Sequence, residues 1–305
     1  MLWAITCYFN PVSYQTKKRN YDLFRSHLTV PLLTVELAFA DFELTPSDAD
    51  IVIQLSGGAI LWQKERLLNI ALQSLPSECT AIAWLDADIL FEESNWPTHT
   101  LNALESHVFV QPFEAMSQLQ QDQAPETRQD LKPERVSVAS AYANNQLPAD
   151  YFYTSGASCQ TGLTPGVAWA GRREVLERFG FYDAMILGGG DRAMFNAMTG
   201  HIKDFVQMYD LSSAQATHYR AWAEPLYQRV QGRIGYVPGY LTHLWHGSAS
   251  DRQYQQRRKI LPAFGFDPKT DIQNQHGQPW RWASHKPALH HAVADYFKTR
   301  NEDGD

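Results

Sequence analysis

Cysteine is scarce in this chain, with three residues among 305. Cys7, Cys79 and Cys159 are far apart, odd in number and free of Cys-x-x-Cys spacing, which argues against a disulfide framework or a thiolate zinc site and fits a reducing compartment. Long apolar runs are also missing: none approaches the ~18 residues that a transmembrane helix needs. The opening run Leu2 to Phe9 is too short for a secretory signal and has no basic residues ahead of it, so the expected location is cytoplasmic. Basic charge is in deficit, with 26 Lys and Arg against 33 Asp and Glu and a formal net charge of -7. Nucleic acid is therefore not an expected partner. Basic residues concentrate only at Lys17-Lys18-Arg19 and Arg257-Arg258-Lys259, which leaves a local phosphate pocket open. Nine Trp and 14 Tyr leave peripheral membrane contact open, and nothing fixes an oligomeric state.

What the chain does have is 44% hydrophobic residues, enough for one large domain or two small ones, and an alternating order of elements. Leu2 to Phe9 reads as a strand stopped by Asn10-Pro11. Tyr21 to Leu28 carries apolar residues at helical spacing, and Leu32 to Phe39 and Ile51 to Leu55 read as strands. Leu61 to Leu75 keeps a helical stripe, with Lys64, Glu65 and Arg66 in its first turns. The strand Ala81 to Phe91 follows, then a helix over 98–106 and a strand at 108–112. This β-α-β-α order predicts a parallel sheet with its ligand at the carboxyl ends of the strands.

The most informative stretch is Ala81-Ile82-Ala83-Trp84-Leu85-Asp86-Ala87-Asp88. A buried-strand pattern runs into two carboxylates, which are costly to desolvate without a cation. Mg²⁺ or Mn²⁺ suits such a pair and leaves room for substrate phosphates. A structural turn explains the pair about as well when it stands alone. Asp48-Ala49-Asp50 beside Thr45-Pro46-Ser47 reads as a turn or cap, and Asp303-Gly304-Asp305 as a frayed terminus.

Residues 117–165 break the periodicity and read as an insertion lying over the site, partly helical, with a plain linker as the other reading. Order returns at Gly166-Val167-Ala168-Trp169-Ala170. Leu187-Gly188-Gly189-Gly190-Asp191 then places Asp191 near the N-terminus of a helix, where a simple cap is the plainer reading. A strand over 236–241 enters Thr242-His243-Leu244-Trp245-His246-Gly247, whose two histidines are metal-ligand candidates. From Asp251 onward there are enough apolar residues to pack on the core.

In this order, Asp86-Ala87-Asp88, the helix opening Lys64-Glu65-Arg66, Gly166 to Ala170, Gly189-Gly190-Asp191 and His243-Leu244-Trp245-His246-Gly247 resemble glycosyltransferases of the GT-A fold. The likeness is to the family 2 type and to the galactosyltransferase-like branch. It implies an α/β GT-A domain over residues 1–250, with 117–165 inserted in it and 251–305 as a helical C-terminal extension. The implied activity is transfer of a sugar, in a metal-dependent and inverting reaction, from a nucleotide-sugar, usually a UDP-sugar, to a hydroxyl of a glycan-type acceptor. The resemblance assigns Mn²⁺ or Mg²⁺ to Asp88, with Asp86 facing the ribose or the metal shell. His246 is then the better histidine ligand and His243 the second. Asp191 is the general base. Gly190 stands where the family commonly has Glu, which leaves acceptor preference open. Asn10 and Pro11 fall where such folds contact the base, Lys64 or Arg66 could offset diphosphate or uracil-edge charge, and Trp169 could stack on a sugar or simply be buried. Two other readings remain. A sugar nucleotidyltransferase would open with a Gly-rich basic loop, which Asn10-Pro11-Val12-Ser13 is not. A noncatalytic nucleotide- or carbohydrate-binding protein of the same fold is kept open by Gly190.

Overall fold

The computed structural model describes residues 1–154, 162–248 and 250–304. Cys159 and the Ser155 to Ser158 part of the expected insertion lie outside them. Among the described residues, twelve strands fall into two sheets: β1 Leu2–Phe9, β2 Leu32–Ala38, β3 Ile51–Ser56, β4 Ala81–Leu85, β5 Ile89–Phe91, β6 Phe109–Gln111, β7 Ala115–Gln118, β8 Arg135–Ser137, β9 Leu163–Thr164, β10 Ala168–Arg172, β11 Ile234–Tyr236 and β12 Tyr240–His243.

The larger sheet has the order β11-β6-β10-β4-β1-β2-β3. All its pairings are parallel except those of β10, which runs antiparallel to β4 and β6. This is the mixed, mostly parallel α/β architecture expected from the sequence. Its central strands are mostly apolar, as strands covered on both faces are; every residue of β2 and β4 is buried, Thr34 and Glu36 of β2 included. Among the described residues, no helix is long and apolar enough to cross a membrane.

The sequence reads as one strand through the Asp pair, but the chain changes sheets there. β4 ends at Leu85, and β5 joins a second sheet of order β5-β12-β7-β8-β9. Two backbone bonds fix the crossing: Asp86 N–H donates to Val167 O at 2.7 Å, and Leu244 N–H donates to Asp88 O at 2.8 Å. Val167 is held at φ 69°, in a left-handed region that β-branched residues rarely occupy, and its carbonyl anchors Asp86.

The 117–165 segment is more regular than its composition indicated. It carries the end of β7, a 3-10 turn over Pro125–Asp130, β8, the helix Val138–Ala143 and β9, so much of it builds the second sheet. The extension beyond residue 250 packs on the core. Trp280 is buried, its carbonyl accepts from Ala59 N–H and Gln63 Nε2, and its N–H donates to Gln63 Oε1, and Leu289 and Val293 of the helix Pro287–Lys298 are fully buried.

The tail as far as Gly304 is engaged, not frayed. Asp303 accepts hydrogen bonds from Gln15 N–H at 3.0 Å and Thr16 N–H at 2.8 Å, capping the helix Gln15–His27. A carboxylate there satisfies orphan donors and complements the helix dipole. Because the cap comes from the far end of the chain, the helix starts six residues before its apolar stripe.

Candidate active site

The carboxyl ends of β1 and β4, the start of β10 and the end of β12 meet around a cavity of about 400 Å³. Asp88 lies on its floor. Its Oδ2 is 3.1 Å from His246 Nδ1, and its Oδ1 is 3.4 Å from His243 Nε2. One ligand atom from each of the three residues lies within 4.8 Å of the others. Asp88 Oδ1 is buried and has no hydrogen-bond partner, a costly state that a cation would relieve. Burial disfavours charge on Asp88, but His246 and His243 outweigh it and hold the carboxyl well below its usual range. Burial, followed by the Arg252 guanidinium, holds His246 well below the usual histidine value. One carboxylate and two imidazoles, each offering a ligand atom within 4.8 Å of the others, form a donor set for a divalent metal ion, so these residues fit the metal expected from the sequence.

Asp86 stands outside this cluster. Its Oδ1 meets Lys64 Nζ at 2.6 Å, and the same ammonium lies 3.1 Å from Asp191 Oδ2. Burial works against the Lys64 charge, yet Asp191 and Asp86 overcome it and raise its pKa well above the ordinary value. Lys64 therefore ties the Asp pair to Asp191, the first turn of the helix Gly190–Met198. Gly189 precedes that helix at φ 106°, and a Cβ on it would meet Tyr209 Oη at 2.8 Å, so only glycine fits the turn that delivers Asp191.

Glu65 escaped the sequence reading. Lys64, Glu65 and Arg66 look like a solvated first turn, but the helix Lys64–Leu72 is packed between the large sheet and the C-terminal extension, and all three are buried. Glu65 borders the cavity, and a Cβ on Gly190 would overlap its carboxyl group. The glycine where a side chain was expected thus makes room for a carboxyl from another helix. Three charges opening an otherwise apolar helix were the available signal. Burial pushes the Glu65 carboxyl up to about 8 against the pull of Lys64.

Because Glu65 binds its proton more tightly folded than unfolded, its stabilising protonation is complete below the ordinary value of 4.5 and is lost as pH rises towards about 8. Glu65→Gln removes that loss. Its stability relative to wild type is expected to rise by on the order of a few kcal/mol between pH 5 and pH 8. Denaturant melts at the two pH values check this, and a constant difference contradicts the assignment.

Four of the expected site residues lie away from the cavity. Asn10, Pro11, Arg66 and Trp169 do not border the cavity. Asn10 closes its own turn by accepting from Tyr14 N–H at 2.9 Å and donating to Tyr14 O and Glu43. Arg66 lies 4.1 Å from the centre of the Trp280 ring and pairs with Asp183. Trp169 is fully buried, stacks on Trp84 and donates from Nε1 to Pro165 O. Cys7 does border the cavity, where burial pushes its thiol up to about 12 and disfavours the thiolate. The wall near His246 is completed by Arg252, which donates to His246 O, and by Arg300 and Glu302 from the terminus.

No family model matches the chain, and no curated protein matches it. Solved structures give distant likenesses. S. aureus TarS 1-349 is 12% identical with a TM-score of 0.41, over 98% of this chain and 71% of that one. Glucosyl-3-phosphoglycerate synthase from Mycobacterium tuberculosis, in complex with Mn²⁺, UDP-Glc and phosphoglyceric acid, is 12% identical with a TM-score of 0.43, over 90% and 84%. The 4-diphosphocytidyl-2C-methyl-D-erythritol synthase from Anaerococcus prevotii is 11% identical with a TM-score of 0.36, over 87% and 95%.

Proposed function

We propose that the protein is a metal-dependent, inverting glycosyltransferase of the GT-A type that moves a sugar from a nucleotide-sugar, a UDP-sugar by preference, to an acceptor hydroxyl. The observation that carries the reading is one cavity holding both the Asp88, His243 and His246 cluster and, linked to it through Asp86 and Lys64, the carboxylate of Asp191. Asp88, His243 and His246 would hold a divalent cation, which would supply positive charge for the leaving diphosphate.

The chain's own groups do the rest. Asp191 accepts the proton of the acceptor hydroxyl as that oxygen forms its bond to the anomeric carbon. The bond from the anomeric carbon to the phosphate oxygen breaks, its electron pair leaves on the nucleoside diphosphate, and the configuration inverts. Lys64 keeps Asp191 and Asp86 in register. Glu65, beside Asp191 and protonated near neutrality, can donate a hydrogen bond to a second hydroxyl of the acceptor. It takes up the space that the noncatalytic reading treated as a loss at Gly190.

The reading is tested by following UDP release from a panel of UDP-sugars. Release is expected to stop with EDTA and to return with Mn²⁺, and His246→Ala should need a much higher Mn²⁺ concentration for half-recovery. Turnover that ignores EDTA and the substitution would overturn the metal assignment.

A further inference from the structure

The two histidines of the metal cluster are held in different ways. His243 belongs to β12 and pairs with Ile89 of β5 and Gln118 of β7, so a sheet fixes its backbone. His246 lies beyond the end of that strand, and the residues on either side of it meet the far end of the chain. A Cβ on Gly247 would stand 2.8 Å from Asn301 O and 3.0 Å from Arg300 O, so two backbones touch there with no side chain between them. A Cβ on Gly304 would overlap the Trp245 ring. The helix Gln15–His27 holds the same segment, with Asn20 donating from Nδ2 to Trp245 O at 2.9 Å.

The tail is tied down at the start of that helix. Asn301 N–H donates to Tyr14 Oη at 3.1 Å, and Asp303 caps the first turn. Gln121 donates from Nε2 to Gly304 O at 2.8 Å. Asp303 and Gly304 are only half-buried and supply no apolar side chain to the core. What they do is seat the tail against Trp245 and Gly247. A metal ligand must be held to within about 0.5 Å, and a ligand outside a helix or strand needs supporting contacts to be held so closely. Contacts that orient a ligand without touching the ion commonly change metal affinity by about 10–100-fold.

Resting on the metal cluster of the transferase reading, we infer that Asp303 and Gly304 are positioning residues of the metal site, which act through His246 by holding the tail on its two neighbours.

The test titrates Mn²⁺ into the full chain and follows the free-ion electron paramagnetic resonance signal. Asp303→Ala with Gly304→Val leaves the buried Glu302 pair in place and is expected to bind Mn²⁺ on the order of tenfold more weakly than wild type. In a His246→Ala background the same double substitution should change Mn²⁺ affinity by less than about twofold, because the ligand it works through is gone, whereas in a His243→Ala background the loss should persist. Coupling is reciprocal, so saturating Mn²⁺ should slow hydrogen exchange at the Asn301 amide in wild type and not in His246→Ala. That measurement changes nothing in the tail, so it decides the matter even if the double variant fails to fold. A double variant that binds Mn²⁺ as wild type does, an equal loss with and without His246, as general loosening of the fold would give, or Asn301 exchange that ignores Mn²⁺ each overturns the inference alone. Failure of wild type to bind Mn²⁺ overturns the metal reading, and this inference with it.

Discussion

Asp191→Asn is expected to bind UDP-sugar and Mn²⁺ within a few-fold of wild type and to transfer sugar more slowly by a factor on the order of 10² to 10⁴. The substitution keeps the shape of the side chain and an oxygen that can still accept from Lys64, which now reaches both Asp191 oxygens at 3.1 and 3.3 Å. Lys64 also keeps its shorter partner, Asp86, at 2.6 Å, so the ammonium is not left buried without a counter-charge. What disappears is the ability to take a proton. Donor affinity and turnover should therefore separate, with the loss in kcat. Single-turnover rates beside donor titrations measure both quantities, and transfer at the wild-type rate would remove Asp191 from the base role.

Glu302→Ala should cost about 3–5 kcal/mol of stability, a melting-temperature drop on the order of 10 °C for a chain of this size. Glu302 is 1% exposed and meets Arg300 Nε at 2.6 Å and Lys17 Nζ at 3.3 Å. Arg300 is itself buried and lies 5.0 Å from the centre of the Trp62 ring. Removing the carboxylate leaves that guanidinium desolvated and uncompensated. Burial opposes the Glu302 charge, but Lys17 and Arg300 hold its carboxyl well below the ordinary 4.5. The contribution is therefore fully present above about 4.5 and is lost as pH falls below it. The pair Arg173 and Glu177 has the same 2.6 Å separation, but Glu177 is exposed and Arg173 only half-buried, so Glu177→Ala should cost about 0–1 kcal/mol. Equal losses for the two variants would show that burial of Glu302 does not set the scale.

The parts of the site that could be read in the sequence are those built locally. Asp86 and Asp88 follow an apolar strand, His243 and His246 close another, and Asp191 follows three glycines, so pattern and position coincide. The parts that escaped depend on contacts between distant segments. Glu65 borders the cavity only because its helix is covered by the extension, and Arg66, on the same turn, faces Trp280 instead. Asp303 caps a helix at the opposite end of the chain, and Glu302 and Arg300 reach the cavity wall with it. Trp169 and Asn10 fell where a ligand contact was plausible from their order in the chain, yet each spends its polar group on nearby backbone. The break between β4 and β5 was hidden because apolar residues continue on both sides of the Asp pair; only the switch of sheets separates them.

Calorimetric titration of UDP, with and without Mn²⁺, into wild type and Asp88→Ala tests the central claim most directly. Binding in wild type that requires Mn²⁺ and vanishes in Asp88→Ala is the predicted result. Equal UDP binding by both proteins, with or without Mn²⁺, would contradict it.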